Sequence, residues 1–417
     1  MSKLPLEGLR VIDATTSWAG AYTTNVMGTF GAEVIKIEAI QRLDIWRAAG
    51  VHLVNPPPPS NQAFEWSPPW NAVNTNKIEI TLNLSKPKGV EVFKGLAAKS
   101  DVVVENFTPR VMANFGLDYP VLKTLNPKLV MVSMAAYGQT GPWKYVPGFA
   151  HPIEMMAGFA QLMGEPDGPP KICGAGFTDP IAGTNAMIAV MFALLYRQMT
   201  GEGQYIDLSQ VEASTCLIGE ALLDYSVNNR IQTRQANQHP FMAPHGYYKC
   251  KGDEKYIGIA VATDEEWASF CKAIGEPAWT KNKKFSDSLS RWNNRKELDE
   301  LVEKWTINHD HYAVTQLLQK AGIAAGPFLT SVELLQDPHL KERDVFQYVD
   351  RALVGKRPYP VPTIPMRLSE AKPSIYRPAP LLGEHNEYIL SKILGMSDEE
   401  IKTLEREQII GKVPLGL

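Results

Sequence analysis

The fold is decided by Leu9-Arg10-Val11-Ile12-Asp13 and by the later run Glu33-Val34-Ile35-Lys36-Ile37. Both runs are rich in β-branched residues and are typical of buried strands. Residues 22–30, between them, have the composition of a short helix, and Gly31 follows as its expected end. A strand, a helix and a second strand in this order predict a parallel pair with a right-handed crossover.

The same alternation continues through the first half of the chain. The expected elements are strands at residues 77–84, 102–104, 129–134 and 205–208, and helices at residues 85–99, 184–199 and 211–225. Alternating strands and helices are typical of α/β proteins. We therefore predict a Rossmann-like large domain that is built on a parallel sheet.

The character of the sequence changes near residue 228. Residues 228–245 are polar and contain two prolines, which indicates a loop. Residues 247–262 alternate like antiparallel strands, and helices are expected within 265–275 and 295–320. The predicted parts are the N-terminal portion of the large domain at 1–227, a smaller α+β domain at 228–330, and a segment at 331–417 that returns to the large domain.

The composition narrows the class of protein. The chain has 417 residues, of which 44% are hydrophobic and 21% charged, as in ordinary soluble globular proteins. A net charge of −3 argues against a nucleic-acid partner. The longest apolar run, residues 181–196, is interrupted by polar residues and is expected to be too short to span a membrane. We expect no signal peptide, and four cysteines without metal-ligand spacing predict a cytoplasmic protein with no metal.

A second segment carries the candidate chemistry. It reads Gly174-Ala175-Gly176-Phe177-Thr178-Asp179-Pro180-Ile181-Ala182-Gly183. Pro180 suits the first helical position, which places Asp179 at or near the N-cap, where backbone N–H groups point toward it. In isolation, Asp179 could be only a helix cap, or it could be an ionised carboxylate that is exposed as a nucleophile.

Common catalytic motifs are absent from the sequence. The turn after the first strand reads Ala14-Thr15-Thr16-Ser17-Trp18-Ala19-Gly20 instead of a GxGxxG fingerprint. The chain also contains no Walker motif, HExxH or GxSxG. Dinucleotide binding of the usual kind, metal catalysis and serine hydrolysis therefore have no basis in the sequence.

An ordered series of short segments gives the chain a family resemblance. The segments are Leu6-Glu7-Gly8-Leu9-Arg10-Val11-Ile12-Asp13, Phe30-Gly31-Ala32-Glu33-Val34-Ile35-Lys36-Ile37-Glu38, Val104-Glu105-Asn106-Phe107, Tyr137-Gly138-Gln139-Thr140-Gly141-Pro142, Thr200-Gly201-Glu202-Gly203-Gln204 and Leu381-Leu382-Gly383-Glu384-His385. With them, nearly the whole chain resembles the family III CoA-transferases of the CaiB/BaiF type. The residue that matches the nucleophile of this family is Asp179.

The resemblance implies an activity and an assembly. A CoA-transferase of this family moves CoA from an acyl-CoA donor to a carboxylic acid through an aspartyl anhydride and an aspartyl-CoA thioester. It forms interlocked dimers, here either a homodimer or a heterodimer with a paralogous subunit. An aspartate needs no general base at neutral pH, because its ordinary pKa is near ~3.9.

The resemblance also implies residues that contact coenzyme A. Those that match family positions are Ser17, Trp18, Ala19, Leu82, Asn83, Leu84, Asn106, Phe107, Thr108, Arg110 and Tyr137. The phosphates are harder to place, because Ala39 stands where the family often has an arginine, and Ala135 lies where formyl-CoA transferase has a lysine nearby. Arg42 or Arg47 could substitute for the arginine, and Lys144 and Arg110 are further candidates for the phosphates.

The acceptor acid is indicated by the segment His239-Pro240-Phe241-Met242-Ala243-Pro244-His245-Gly246, which lacks the glycine run of formyl-CoA transferases. It resembles transferases for larger acids, such as the succinyl-CoA:benzylsuccinate CoA-transferases of toluene degradation. Trp18, Trp66, Trp70, Phe241 and Met242 could line an aromatic pocket for the acceptor, and Arg47 or His245 could bind its far carboxylate.

Two alternatives remain open. Racemases of the family pair the aspartate with a histidine that follows a glycine, but this chain reads Pro147-Gly148-Phe149-Ala150 there. His151 lies two residues further on, roughly 7 Å along an extended chain, which is beyond hydrogen-bond reach of that position. The second alternative is a non-catalytic subunit that completes a partner's active site, and the presence of Asp179 argues against it.

Overall fold

The computed structural model describes residues 3–49, 60–174, 176–351 and 358–415. The strands are β1 (Arg10–Ala14), β2 (Glu33–Glu38), β3 (Lys77–Thr81), β4 (Val102–Glu105), β5 (Val130–Ser133), β6 (Tyr205–Asp207), β7 (His245–Lys249), β8 (Tyr256–Ala260), β9 (Ala324–Pro327), β10 (Phe346–Val349) and β11 (Tyr359–Pro362). The α-helices are α1 (Ala19–Thr29), α2 (Ile45–Ala49), α3 (Pro68–Val73), α4 (Pro87–Ala97), α5 (Arg110–Asn114), α6 (Tyr119–Leu125), α7 (Ala150–Met156), α8 (Phe159–Leu162), α9 (Thr178–Thr200), α10 (Gln210–Thr215), α11 (Gly219–Asn228), α12 (Asp264–Ala273), α13 (Ser288–Asn293), α14 (Arg295–Thr306), α15 (His311–Lys320), α16 (Ser331–Gln336), α17 (Pro338–Glu342), α18 (Asn386–Tyr388) and α19 (Asp398–Arg406). Single 3₁₀ segments lie at Ser60–Trp66, Cys216–Ile218, Ala278–Lys281 and Lys283–Phe285, and a π-helical turn lies at Ile389–Ile393.

The central sheet has six strands in the order β3-β2-β1-β4-β5-β6. Every neighbouring pair is parallel, and Val11 of β1 lies between Val34 of β2 and Val102 of β4. This is the strand order of the doubly wound dinucleotide-binding fold. The predicted Rossmann-like parallel sheet is thereby confirmed.

Helices cover both faces of the sheet, which explains its nearly continuous apolar strands. Successive residues of a strand point to opposite faces. Ile12 and Val103 accordingly belong to the core beneath α4 and the C-terminal helices. Val11 and Val102 belong to the core on the other face, against α1 and α9.

Helix α9 is longer than the sequence predicted. It has 23 residues and begins at Thr178, whereas the prediction began at residue 184. By length and composition it is the one helix in the described part of the chain that could cross a membrane, and 39% of its apolar window is buried inside the protein. Ala182, Ala186 and Val190 of this helix pack in the core against α1. The predicted single helix at residues 211–225 is instead divided into α10, a 3₁₀ turn and α11.

The chain divides into two compact units. The first comprises Met1–Ala160, Ile172–Ile231 and Lys341–Leu417, and the second comprises Gln161–Lys171 and Gln232–Leu340. The second unit contains the antiparallel sheet β7-β8-β9 and a core that includes Phe270 and Leu298. The domain boundaries 1–227, 228–330 and 331–417 stay a prediction.

Candidate active site

A pocket of about 260 Å³ lies at the carboxyl ends of the strands of the large unit. Strands β1 and β4 are neighbours there, and the chain proceeds from them toward opposite edges of the sheet. Open α/β sheets bind ligands at this topological switch point. Its lining includes Ser17, Arg42, Asn106, Phe107, Lys144, Phe149, Asp179 and Gln210.

Asp179 is held in this pocket by the start of α9. The helix begins at Thr178, so Asp179 is its second residue and Pro180 its third, rather than the N-cap and the first residue. Proline is tolerated at this position because the N–H groups of the first turn have no intrahelical acceptor. The Asp179 N–H instead donates to the carbonyl of Gly176, at 3.0 Å, and so closes a turn over residues 176–179 at the start of the helix.

The carboxyl group of Asp179 is buried, with 7% of the residue exposed. Burial raises its pKa to about 6, and the nearby His151 opposes that rise. An ordinary aspartate pKa, expected from the sequence, is therefore wrong for this site. At neutral pH the carboxylate still predominates, and its poor hydration favours attack on an electrophile.

Helix α7 holds the segment that leads to Asp179. His151 Nε2 contacts the carbonyl oxygen of Gly174, and the Glu154 carboxylate accepts a 2.6 Å hydrogen bond from the Cys173 N–H. Phe149, at the position of the racemase histidine, lines the pocket and is 64% exposed. The extended chain expected at His151 is wrong: this residue lies in helix α7, outside the described lining of the pocket but near enough to Asp179 to lower its pKa.

The loop after β1 forms a second wall of the pocket. Ser17 has a φ of +64°, a left-handed conformation that costs of order 1–3 kcal/mol outside glycine. Two contacts hold it: the Ser17 N–H donates to Asp44 Oδ1 at 3.2 Å, and Trp46 Nε1 donates to Ser17 Oγ at 2.5 Å. Trp18 packs edge-on against Trp46, with ring centroids 5.8 Å apart. Ser17 and Ala19 line the pocket, and Trp18 is outside its described lining.

Residues after β4 form the facing wall. Asn106, Phe107 and Thr108 all line the pocket. The Phe107 N–H donates to the carboxylate of Glu105 at 2.8 Å, and burial raises the pKa of Glu105 to about 7. The predicted segments after β1 and β4 are thus brought together around Asp179.

Other residues predicted to bind CoA lie elsewhere. Leu82 lies in the core with 1% of the residue exposed, and Leu84 packs against the same core. Asn83 Oδ1 accepts hydrogen bonds from the N–H and hydroxyl groups of Ser85. Tyr137 packs against Trp143, with centroids 5.9 Å apart. Leu82, Asn83, Leu84, Tyr137 and the exposed Arg110 are all outside the described lining.

The two candidate arginines have different environments. Arg42 is exposed and lines the pocket, and a turn brings it back beside Ala39, whose carbonyl accepts from the Arg42 N–H at 3.1 Å. Arg47 is fully buried among Glu38, Glu65 and Glu79. The prediction that Arg47 binds a phosphate or the acceptor is therefore wrong.

The predicted aromatic pocket is also revised. Trp70 is fully buried, and the Arg47 guanidinium carbon lies 3.8 Å from the centroid of its ring. Trp66 is half-buried and outside the described lining of the pocket, whereas Phe241, in the second unit, is 60% exposed. Gln210 also lines the pocket and was not predicted from the sequence, although its place just after β6, at the carboxyl edge of the sheet, is a usable signal.

Known proteins resemble this chain over nearly its whole length. Residues 6–386 match CoA-transferase family III. The chain is 34% identical to the succinyl-CoA–L-malate CoA-transferase beta subunit of Chloroflexus aurantiacus, with 98% of each chain covered. It is 29% identical to the human succinyl-CoA:glutarate CoA-transferase, with 96% of this chain and 88% of the relative covered. The crystal structure of a CaiB/BaiF family protein from Brucella suis aligns with a TM-score of 0.83 at 30% identity, over 94% of this chain and all of the other.

Proposed function

Because this chain belongs to CoA-transferase family III, we propose that it transfers CoA from succinyl-CoA to a dicarboxylic acid, with Asp179 as the nucleophile. The observation that carries the proposal is the buried carboxylate of Asp179 in a pocket at the switch point of the sheet. Acyl-CoA is a substrate here, and no other cofactor is required by this chemistry.

The proposed reaction passes through four exchanges at one carboxylate. Asp179 attacks the thioester carbonyl, the C–S bond breaks, and a mixed anhydride and CoA thiolate form. The thiolate attacks the aspartyl carbonyl, which releases succinate and leaves an aspartyl-CoA thioester. The acceptor carboxylate then displaces the thiolate to form a second anhydride. The thiolate finally attacks the acceptor carbonyl, which gives the new acyl-CoA and restores the Asp179 carboxylate.

The substrates are proposed from the relatives and from the pocket wall. The Chloroflexus and human relatives are by name transferases between succinyl-CoA and L-malate or glutarate, both dicarboxylic acids. Val146, Pro147 and Phe149 give the pocket an apolar side, which suits the carbon chain of a larger acceptor, benzylsuccinate included. Phe149 at the histidine position disfavours the racemase alternative, and the presence of Asp179 disfavours a non-catalytic subunit.

We also propose that the working enzyme is a cytoplasmic dimer, either of this chain or with a paralogous subunit. Helix α9 exposes an apolar stripe in the isolated chain. Its members are Ile188 at 47% exposure, Phe192 at 68%, Leu195 at 55% and Met199 at 78%. A continuous apolar surface of this kind marks a protein interface, and the beta-subunit relative is by name part of a heteromer.

An assay of CoA transfer tests the proposed function. Purified chain, alone and mixed with a paralogous subunit, is given succinyl-CoA and a series of acids, and its native mass is recorded in each case. We expect kcat/KM for malate, glutarate or benzylsuccinate to exceed that for oxalate by at least about tenfold, or ~1.4 kcal/mol in barrier. Equal turnover of formyl-CoA and oxalate contradicts the proposed substrates, and full activity at the mass of a single chain contradicts the dimer.

Arg42 is expected to bind a phosphate of CoA. Replacing it with alanine removes a charge-assisted contact of about 1.5–3 kcal/mol. We expect Arg42→Ala to raise KM for succinyl-CoA by roughly tenfold or more and to leave kcat nearly unchanged, because the phosphates are remote from the thioester. The measurement is steady-state kinetics with a saturating dicarboxylic acceptor.

A substrate without phosphates provides the control for Arg42. With the succinyl thioester of pantetheine, Arg42→Ala and the unsubstituted enzyme should have the same kcat/KM. The exposed Arg406, at the end of α19, supplies a matched Arg406→Ala variant whose kinetics should not change. An equal loss with both thioesters would show that Arg42 does not act through a phosphate.

A further inference from the structure

Asn106 connects the two loops that face each other across the pocket. Its carboxamide exchanges a pair of hydrogen bonds with the backbone of a single residue, Thr16. The Thr16 N–H donates to Asn106 Oδ1 at 2.8 Å, and Asn106 Nδ2 donates to the Thr16 carbonyl at 2.7 Å. Strands β1 and β4 end side by side just before these residues, with Ala14 paired to Glu105. The carboxamide therefore links the two strand ends at the switch point.

The next residue of the β1 loop is held from the opposite side. Asp44 Oδ1 accepts from the Ser17 N–H at 3.2 Å, and its Oδ2 lies 3.5 Å from Lys36 Nζ, which is fully buried. The backbone of Thr16 is thus bonded to the loop after β4, and the backbone of Ser17 is bonded to the segment after β2. The left-handed backbone at Ser17 persists only where neighbouring contacts define it, so both sets of hydrogen bonds contribute to the shape of the pocket wall.

We propose that the carboxamide of Asn106 has a positioning role, in which it fixes the Thr16–Ser17 backbone against the β4 loop, and that it is not a hydrogen-bonding group for CoA. This inference rests on the proposed function, because the wall that Asn106 holds lines the pocket of Asp179. Phe107 and Thr108 follow Asn106 directly and line the same pocket. Loss of these two hydrogen bonds should therefore displace both walls from the reacting thioester, and a displacement of about 1 Å lowers kcat as well as binding.

The substitution Asn106→Asp tests the pair of hydrogen bonds to Thr16, here called the tie, because the introduced carboxyl group can be protonated or ionised. An ionised carboxylate can accept from the Thr16 N–H but can only repel the Thr16 carbonyl, whereas a protonated carboxyl can make both hydrogen bonds. We expect kcat/KM for succinyl-CoA to fall at least tenfold at pH 8. Because the Thr16 carbonyl disfavours the ionised form, the pKa of the introduced carboxyl should lie well above the ordinary aspartate value near ~3.9. The ratio of kcat/KM for the variant to kcat/KM for the unsubstituted enzyme should therefore recover at least threefold as the pH is lowered to 5.5.

The ratio is used because other groups near the pocket also titrate. The charged and titratable groups around the two loops include Asp13, Lys36, Arg42, Asp44, Lys77, Glu105, Lys144 and Asp179. They are common to both proteins, so their effects largely cancel in the ratio. A ratio that stays flat with pH, or a loss under twofold at pH 8, overturns the proposal.

Hydrogen–deuterium exchange tests the tie without any turnover. In the ligand-free protein, Asn106→Asp at pH 8 should speed exchange of the backbone amides of Thr16 and Ser17 by at least fivefold. Asn106→Ser, whose side chain is too short to bridge the loops, should do the same and serves if the aspartate variant does not fold. Unchanged exchange in either folded variant overturns the proposal, whereas an inactive unsubstituted enzyme with normal exchange behaviour would overturn only the proposed transferase function.

Asn126 supplies the matched control. Its carboxamide also bonds the backbone in both senses, with Nδ2 donating to the Ser100 carbonyl at 2.8 Å and Oδ1 accepting from the Lys128 N–H at 3.0 Å. It is outside the described lining of the pocket. Asn126→Asp should lower thermal stability without lowering kcat/KM or producing the pH-dependent ratio. The same kinetic loss in Asn126→Asp would mean that Asn106 has only a general structural role, which overturns the proposal.

Discussion

Replacing Asp179 with asparagine is expected to lower kcat for CoA transfer by at least about a thousandfold, or ~4 kcal/mol in barrier. The amide has the same shape but cannot form the anhydride or the thioester, and removal of a covalent nucleophile usually has effects of this size or larger. Steady-state kinetics with succinyl-CoA and a dicarboxylic acid measure the loss. The thermal midpoint should not fall, because burial disfavours the charged form of Asp179 and the neutral amide avoids that penalty.

Covalent labelling and the pH dependence of kcat/KM also test the role of Asp179. Succinyl-CoA followed by hydroxylamine or borohydride should label Asp179, as mapped by mass spectrometry. The kcat/KM profile should fall on the acid side near pH 6, because the nucleophilic carboxylate is lost as pH drops through a pKa that burial raises to about 6. Asp398→Asn, at the exposed start of α19, is the control for the substitution. An Asp179→Asn protein that keeps most of its rate, without deamidation back to aspartate, rules out the mechanism.

The sequence predicted the sheet well because its signals are local. The apolar runs of β1 and β2 and the helix between them specify a parallel pair, whatever the rest of the chain does. Asp179 was also recognisable, since its glycine-rich approach and following proline lie within one short segment. The helical pattern predicted α9 only from residue 184, because Gly183 weakens that pattern, whereas Pro180 indicated a start near residue 180. Packing against α1 overrides the weak propensity, and the helix begins at Thr178.

Long-range polar contacts could not be predicted in this way. Nothing near Arg47 in sequence indicates that it pairs with Glu65 and Glu79, or that the Pro380 carbonyl faces it. A charged residue in a short amphipathic segment is ordinarily on the surface. The tie between Thr16 and Asn106 is similarly distant in sequence, and it changes Asn106 from an expected ligand into a proposed positioning residue.

Replacing Arg47 with methionine is expected to give the largest loss of stability among the substitutions considered. Arg47 Nε lies 3.0 Å from Glu38, and its two terminal nitrogens lie 2.6 and 2.7 Å from Glu65 and Glu79. Methionine can pack over the Trp70 ring in place of the guanidinium group but leaves three buried carboxylates without this cation. We expect the free energy of unfolding of the large unit to fall by about 3–5 kcal/mol, measured by urea denaturation.

Two measurements distinguish the loss of stability in Arg47→Met from the general effect of removing an ion pair: its pH dependence, and the loss caused by the same substitution in a surface ion pair. Burial already raises the pKa values of Glu38 and Glu79, and removing Arg47 should raise them further. Such groups bind protons more tightly in the folded chain than in the unfolded one, so the loss of unfolding free energy should be greatest near pH 8 and shrink toward pH 5.

Arg10 and Glu33 form a partly exposed ion pair with a separation of 2.5 Å, so Arg10→Met should lower the free energy of unfolding by under about 1 kcal/mol. Equal losses from the two substitutions would contradict a special role for the buried cluster. That cluster also bears on the active site, because Glu38 accepts from the Asp44 N–H at 2.9 Å and Asp44 in turn holds Ser17.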